Sequence, residues 1–119
     1  MEWKLDNDRP IWPQLSQQLA RRIIAGVYPP GSRLPSVREL AAEAGVNPNT
    51  MQRALAQLEQ EGLTRAGRTA GRLVTQDAAA LETARKREAQ AVIQQYFQAM
   101  SALGYSQERA AELLKEEFQ

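Results

Sequence analysis

Residues 36–62 read SVRELAAEAGVNPNTMQRALAQLEQEG, and this stretch decides the fold. Ser36 and Glu39 have the spacing of a capping box, in which each side chain accepts a hydrogen bond from the backbone of the other residue. A helix is therefore predicted to begin at Ser36. Gly45 has the position of a glycine that ends a helix, so this helix is predicted to be short, with about two turns.

A second helix is predicted directly after this glycine. Asn47 has the position of an N-cap, and Pro48 that of the first helical residue, where the missing N–H of proline costs no hydrogen bond. The helix is predicted to continue to about Glu61. Two short helices joined by such a tight turn are the pattern of a helix-turn-helix motif.

The sequence around the motif predicts the rest of a first domain over residues 1–77. Apolar residues at helical spacing predict an amphipathic helix over residues 11–25. Residues 63–65 and 72–75 surround a glycine-containing loop and predict a β-hairpin. A helix-turn-helix followed by a hairpin is the order of a winged helix-turn-helix domain. Residues 3–5, Trp-Lys-Leu, predict a short additional strand.

Residues 78–119 are predicted to form a second region of two helices, over about 79–102 and 107–118. The apolar residues on these helices exceed what two helices of this size bury on each other. We therefore expect this tail to form a homodimer, through Ala89, Val92, Ile93, Tyr96, Phe97, Met100, Leu103, Leu114 and Phe118. The alternative is that the tail folds back onto its own first domain and leaves a monomer. The fold class predicted for the chain is mainly α, with a small β-hairpin.

The composition limits the possible functions. The chain has 119 residues and is 43% hydrophobic, which is enough for one folded domain with a helical appendage. It contains neither cysteine nor histidine, so zinc sites built from these residues, thiol nucleophiles and disulfides are excluded. No pair of residues lies in a recognisable catalytic motif, and we expect neither an enzyme nor a cofactor. The longest apolar run is far shorter than the roughly 20 residues of a membrane span, so a cytoplasmic protein is expected.

The charge distribution is more informative than the net charge of +1. Residues 62–76 contain Arg65, Arg68 and Arg72 and no acidic residue. Such a local excess of positive charge is typical of a surface that binds phosphates. A solvated hairpin is the alternative.

Two segments resemble the GntR family of bacterial transcription regulators. They are residues 24–41, IAGVYPPGSRLPSVRELA, and residues 45–55, GVNPNTMQRAL, which are followed by LEQEGL. The resemblance spans about residues 10–75 and is similar in particular to the YtrA-type subgroup. It implies a winged helix-turn-helix that binds double-stranded DNA as a dimer. Larger members carry an effector domain, and with 42 residues after Asp77 this chain is not expected to hold a roomy small-molecule pocket.

The second helix of the motif has side chains suited to reading bases. In a helix-turn-helix, the first residues of this helix reach base edges in the major groove. Asn49 and Gln52 can pair with adenine, and Arg53 with guanine, while Thr50 is suited to phosphate. The alternative is that these residues form an ordinary polar solvent face.

Arg38 lies in the first turn of its helix, where the helix dipole disfavours a cation, so a phosphate partner is predicted. The alternative is an ion pair with Glu39 or Glu43. The resemblance implies that Arg38 contacts DNA and that the hairpin tip enters the minor groove. The candidate DNA-binding residues are Ser36, Arg38, Asn47, Pro48, Asn49, Thr50, Gln52, Arg53, Arg68, Thr69 and Gly71.

Together these features predict a sequence-specific transcription regulator, a repressor that binds an inverted-repeat operator as a homodimer. The alternative is a protein–protein adaptor that uses the apolar C-terminal helices. The basic segment over residues 62–76 favours DNA binding, because an adaptor does not require it.

Overall fold

The computed structural model describes residues 2–67 and 71–119, which contain five helices and one antiparallel hairpin. The predicted fold class, mainly helical with a small hairpin, is confirmed. The elements in chain order are α1 (Ile11–Ile24), α2 (Val37–Ala44), α3 (Pro48–Gln60), β1 (Thr64–Gly67), β2 (Gly71–Val74), α4 (Ala78–Ala102) and α5 (Gln107–Glu116).

The chain divides into two compact units, of which the first ends at Arg85 and the second comprises Lys86–Gln119. This division falls inside α4, whereas the sequence predicts a boundary at Asp77. The difference arises because Leu81 and Ala84, in the first turns of α4, pack against the core of the first unit.

The core of the first unit joins α1, α2, α3 and the hairpin. On α1, Leu15, Leu19 and Ile23 follow one another at intervals of one turn, and all three are buried. The other elements and the segments between them contribute the buried residues Leu34, Leu40, Ala41, Met51, Ala54, Leu55, Leu58, Leu63 and Val74.

Local hydrogen bonds set the limits of α2 and α3. Ser36 Oγ accepts from the Glu39 N–H, and Glu39 Oε1 accepts from the Ser36 N–H, so the predicted capping box is present. Gly45 follows α2 with a φ of 71°, in the left-handed region that glycine adopts most easily. Asn47 caps α3, since its side chain accepts from the Asn49 N–H. The predicted helix-turn-helix is therefore held by its own caps.

The hairpin follows α3 directly. β1 and β2 pair antiparallel, with Gly67 opposite Gly71, and the tip, residues 68–70, lies outside the described residues. On the other side of β2, the backbone of Arg33 forms an isolated bridge with Leu73. The segment before α2 is thus tied to the base of the wing.

The N-terminal residues 3–5 form no strand, and this prediction is wrong. Two glutamines of α1 hold them instead. The Gln18 amide accepts from the Lys4 N–H (3.0 Å) and donates to the Lys4 carbonyl (2.7 Å). The Gln14 amide pairs in the same way with Asp6 (2.7 and 2.8 Å). Each amide supplies the donor and acceptor that a neighbouring strand would supply, so the extended backbone is satisfied without one.

The second unit packs the end of α4 against α5. Ser106 caps α5 by accepting from the Arg109 N–H, and Gly104, with a φ of 95°, turns the chain before it. The Tyr96 hydroxyl donates to the carbonyl of the buried Ala110 (2.7 Å). Throughout the described chain, we find no helix with the length and apolar character that a membrane crossing requires.

Candidate nucleic-acid interface

One side of α3 brings together the residues predicted to read bases. Asn49, Gln52 and Arg53 are exposed. The opposite side of the helix is formed by the buried residues Met51, Ala54, Leu55 and Leu58. Amide and guanidinium groups on an exposed helix face have the donors and acceptors that base edges in the major groove require.

The start of α3 uses its backbone N–H groups within the protein, although the N–H groups at a helix start are generally suited to phosphate. The Asn49 N–H donates to the Asn47 side chain (2.8 Å), the Thr50 N–H donates to the Asn47 carbonyl (3.0 Å), and Pro48 has no N–H. The N–H groups of Asn49 and Thr50 are therefore already used and are not available to a phosphate. Thr50 is half-buried and lines an open cleft of about 510 Å³ beside the N-terminal segment.

The start of α2 presents Arg38. The Ser36 hydroxyl is occupied by the capping box, and hydrogen bonds from Ser36 lower the pKa of Glu39. The other candidate partner, Glu43, accepts from Trp3 Nε1 (3.1 Å) and from an arginine of α1. Within residues 2–67 and 71–119, the exposed Arg38 makes no ion pair, so its positive charge remains available to a phosphate.

Arg53 has a partner that the sequence did not indicate. Its guanidinium lies over the ring of Trp12, in the first turn of α1, with 4.5 Å between the guanidinium carbon and the ring centroid. Trp12 was not among the predicted site residues, because the contact joins two helices and no spacing within either of them indicates it.

The wing is described only at its base. The predicted contacts Arg68 and Thr69 lie outside the described residues. Gly71 is exposed with a φ of 73°, and Arg65 is exposed on β1. Arg72 is partly buried, and its Nε has no hydrogen-bond partner in the described part of the chain.

A buried cation, Arg22, joins three parts of the first unit. Arg22 of α1 donates to the Tyr28 hydroxyl (3.0 Å) and to Glu43 of α2 (3.2 Å), and its guanidinium lies 4.0 Å from the ring centroid of Trp3. This cluster ties the N-terminal segment and α1 to α2. Sequence reasoning missed it, because its members lie far apart in the chain and form no motif.

The shifted pKa values belong to ordinary structural contacts. A hydrogen bond from the Asp8 backbone lowers the pKa of Asp6, and a hydrogen bond to Glu116 raises the pKa of Arg109. Both shifts favour the charge that each group carries at neutral pH. No group of three acidic side chains that could hold a metal ion occurs in the described residues.

The second unit leaves large apolar side chains in contact with solvent. Leu103 is 73% exposed and Phe118 is 89% exposed in the single chain. Tyr96, Phe97 and Met100 are partly buried. The remaining predicted dimerisation residues, which are all exposed, are Ala89, Val92, Ile93 and Leu114.

Known proteins resemble the chain in sequence and in fold. The family model for bacterial regulatory proteins of the gntR family matches residues 13–74. YhcF of Bacillus subtilis (strain 168), an uncharacterized HTH-type transcriptional regulator, is 30% identical over 115 residues, or 97% of this chain and 95% of YhcF. The HTH-type transcriptional repressor YtrA of the same organism is 41% identical over 69 residues, or 58% of this chain and 53% of YtrA.

A solved structure agrees with both sequence matches. The GntR family transcriptional regulator from Listeria monocytogenes superimposes with a TM-score of 0.80 and 33% identity, over 94% of this chain and 98% of that one. The family match takes in more than half of the chain, including the helix-turn-helix and the hairpin. The protein therefore belongs to the GntR family of bacterial regulatory proteins and is a DNA-binding helix-turn-helix transcription regulator rather than an enzyme.

Proposed function

We propose that the protein is a transcription repressor that binds an inverted-repeat operator as a homodimer. The observation that carries this proposal is the two-sided character of α3, whose apolar side is buried while Asn49, Gln52 and Arg53 are exposed. In a helix-turn-helix, such a face enters the major groove. The repressor role is supported by the likeness to YtrA, which is named as a repressor.

The contacts divide by chemistry. Asn49, Gln52 and Arg53 read base edges, since amides pair with adenine and guanidinium groups pair with guanine. Arg38 binds a phosphate, because it is exposed and the nearby carboxylates have other partners. The hydroxyl groups of Ser36 and Thr50 and the amide of Asn47 donate to phosphates, and Pro48 contacts the DNA backbone without a hydrogen bond. Arg68, Thr69 and Gly71 contact the minor groove.

The dimer forms through the second unit. Its exposed apolar residues, among them Val92, Leu103 and Phe118, are of the kind that normally marks a protein interface. A two-fold dimer presents two copies of α3, which matches the symmetry of an inverted repeat.

The direct test is selection of bound duplexes from a library of genomic fragments, followed by fluorescence anisotropy at several salt concentrations. We expect enrichment of an inverted repeat whose half-sites are centred about one helical turn, or 10 base pairs, apart. Enrichment of no sequence would contradict the proposal and favour the alternative of a protein–protein adaptor, which the exposed apolar residues of α4 and α5 support.

Arg38 and Gln52 should affect binding differently. Replacement Gln52→Ala should weaken the selected operator by about 1–3 kcal/mol and a scrambled duplex much less, as loss of a base contact does. Replacement Arg38→Ala should weaken both duplexes equally and reduce the salt slope by about one unit, as loss of a phosphate contact does.

The matched control is Lys115→Ala, which removes one positive charge at the end of α5. It should leave both affinities nearly unchanged. If the Arg38 and Gln52 variants behave like this control on the operator, the assigned surface is wrong.

A further inference from the structure

The two tryptophans of the chain each lie against an arginine, but the two pairs differ in what remains free. Trp3 covers Arg22, which is buried and donates to Tyr28 and Glu43. Trp12 lies under Arg53, which is exposed. In the described residues no hydrogen bond or ion pair to the Arg53 guanidinium is present. Arg22 is buried away from solvent, although its Nη2 has no hydrogen-bond partner in the described residues. The Arg53 guanidinium, in contrast, is exposed and can reach a ligand from solution.

Contact with one aromatic ring leaves a guanidinium with hydrogen-bond donors to spare. The group has five N–H donors, which is more than a single neighbouring ring can occupy. Arg53 can therefore remain on Trp12 and still donate to an acceptor at its edge. Cation–π attraction between the two groups also favours this position over a freely moving side chain.

The position of the Trp12 ring relative to Arg53 is set by the core that α1 and α3 share. Trp12 is half-buried in the first turn of α1, and α1 and α3 share one core through Leu15 and Leu19 on one helix and Met51 on the other. A tryptophan side chain has few rotatable bonds, so its ring has a defined position relative to α3.

We infer that Trp12 is a positioning residue for DNA recognition, which holds the Arg53 guanidinium at the exposed face of α3 before DNA arrives. This inference rests on the proposed function. Ordering a long side chain on binding costs free energy, and a guanidinium that is already held on a ring loses less freedom. The indole on α1 thus adds to operator affinity without touching DNA.

The experiment is a double-mutant cycle in the full-length chain, with the inverted-repeat duplex recovered by selection as the probe. Replacement Trp12→Leu should weaken operator binding about two- to tenfold, which is the range expected for ordering one long side chain. In a chain that already carries Arg53→Ala, the same replacement should have no further effect. Replacement Trp12→Tyr keeps an aromatic face and should restore most of the affinity.

Two controls separate positioning from a general structural role. Urea unfolding of each variant reports any loss of stability, and only variants that are fully folded at the binding temperature are compared. Affinity for a scrambled duplex should change less than affinity for the operator, because Arg53 is assigned to base reading.

Equal losses from Trp12→Leu with and without Arg53 would overturn the inference, because Trp12 would then act independently of the cation. An unchanged affinity for Arg53→Ala, with a clear loss for Gln52→Ala, would also overturn it and leave the proposed function standing. Failure of the wild-type chain to select any sequence would overturn both.

Discussion

Arg22 and Glu43 form an ion pair in which the two side chains differ strongly in exposure. Its side chain is only 5% exposed, while that of its partner Glu43 is 43% exposed. Removing the arginine would leave a carboxylate that water can solvate, whereas removing the carboxylate would leave a buried cation without a counter-charge. Loss of the Glu43 charge is therefore expected to cost more electrostatic free energy than loss of the Arg22 charge.

Replacement Glu43→Ala should lower the free energy of unfolding by about 2 kcal/mol, because Trp3 loses its acceptor and the buried Arg22 loses its counter-charge and keeps only the Tyr28 hydroxyl. Urea unfolding at a fixed protein concentration measures this change. The control Glu43→Gln keeps an acceptor oxygen and removes only the charge, so its loss should be smaller. Equal losses for both variants would mean that the charge alone carries the effect.

At the scale of elements, the sequence predicts those features that depend on residues close together in the chain, such as the starts of helices. The starts of α2 and α3 follow from Ser36 and Asn47, because an N-cap and its partner lie within three residues of each other. The predicted strand at residues 3–5 is wrong, because residues that favour extended backbone do not indicate which group will satisfy its hydrogen bonds.

The site was predicted to a lesser extent than the fold. The exposure of Asn49 and Gln52 followed from the helical period of α3, because the buried positions of a helix determine the exposed ones. The partner of Arg53 did not follow, because Trp12 belongs to another helix and approaches only in the folded core. Of the predicted wing contacts, Arg68 and Thr69 lie outside the described residues and Gly71 lies within them.

The turn between α2 and α3 depends on Gly45, whose φ is 71°. A Cβ atom there would meet no atom within 4 Å, so the cost of a side chain comes from the backbone conformation alone. Replacement Gly45→Ala should destabilise the chain by about 1–2 kcal/mol in urea unfolding. Gly45→Asn should cost less, since asparagine tolerates this conformation better. Equal costs would show that another factor limits the turn.

At the scale of the whole molecule, α4 belongs to both units. Leu81 and Ala84 pack in the first unit, and Arg85 donates to the Ile24 carbonyl (3.2 Å). The first turns of α4 are therefore part of the DNA-binding unit in structural terms, although the sequence places a boundary at Asp77.

Two truncations test this division. A chain that ends at Arg85 should fold into a stable monomer that no longer holds an inverted repeat tightly, because one winged domain makes few contacts. A chain that ends at Asp77 should melt at a lower temperature, since it lacks Leu81 and Ala84. Thermal unfolding and sedimentation compare the two. Equal melting temperatures, or a dimer from the Arg85 chain, would contradict these expectations.

The glutamine pairing at the N terminus depends on two similar lengths, that of four residues along a helix and that of two residues along an extended chain. Gln14 and Gln18 are four residues apart on α1, a rise of about 6 Å. Their partners, Lys4 and Asp6, are two residues apart on an extended chain, a length of about 6.6 Å. The two periods are nearly commensurate, so one helix can serve as a template for an extended segment.

This template leaves a recognisable signature in amide hydrogen exchange. The N–H groups of Lys4 and Asp6 should exchange slowly, while that of Leu5, which has no hydrogen-bond partner in the described chain, should exchange fast. Replacement Gln18→Ala should release Lys4 and leave Asp6 protected. Uniformly fast exchange in the wild type would contradict the pairing. An alternating pattern would show that side chains on every fourth residue of a helix protect the N–H groups of every second residue in the extended segment beside it.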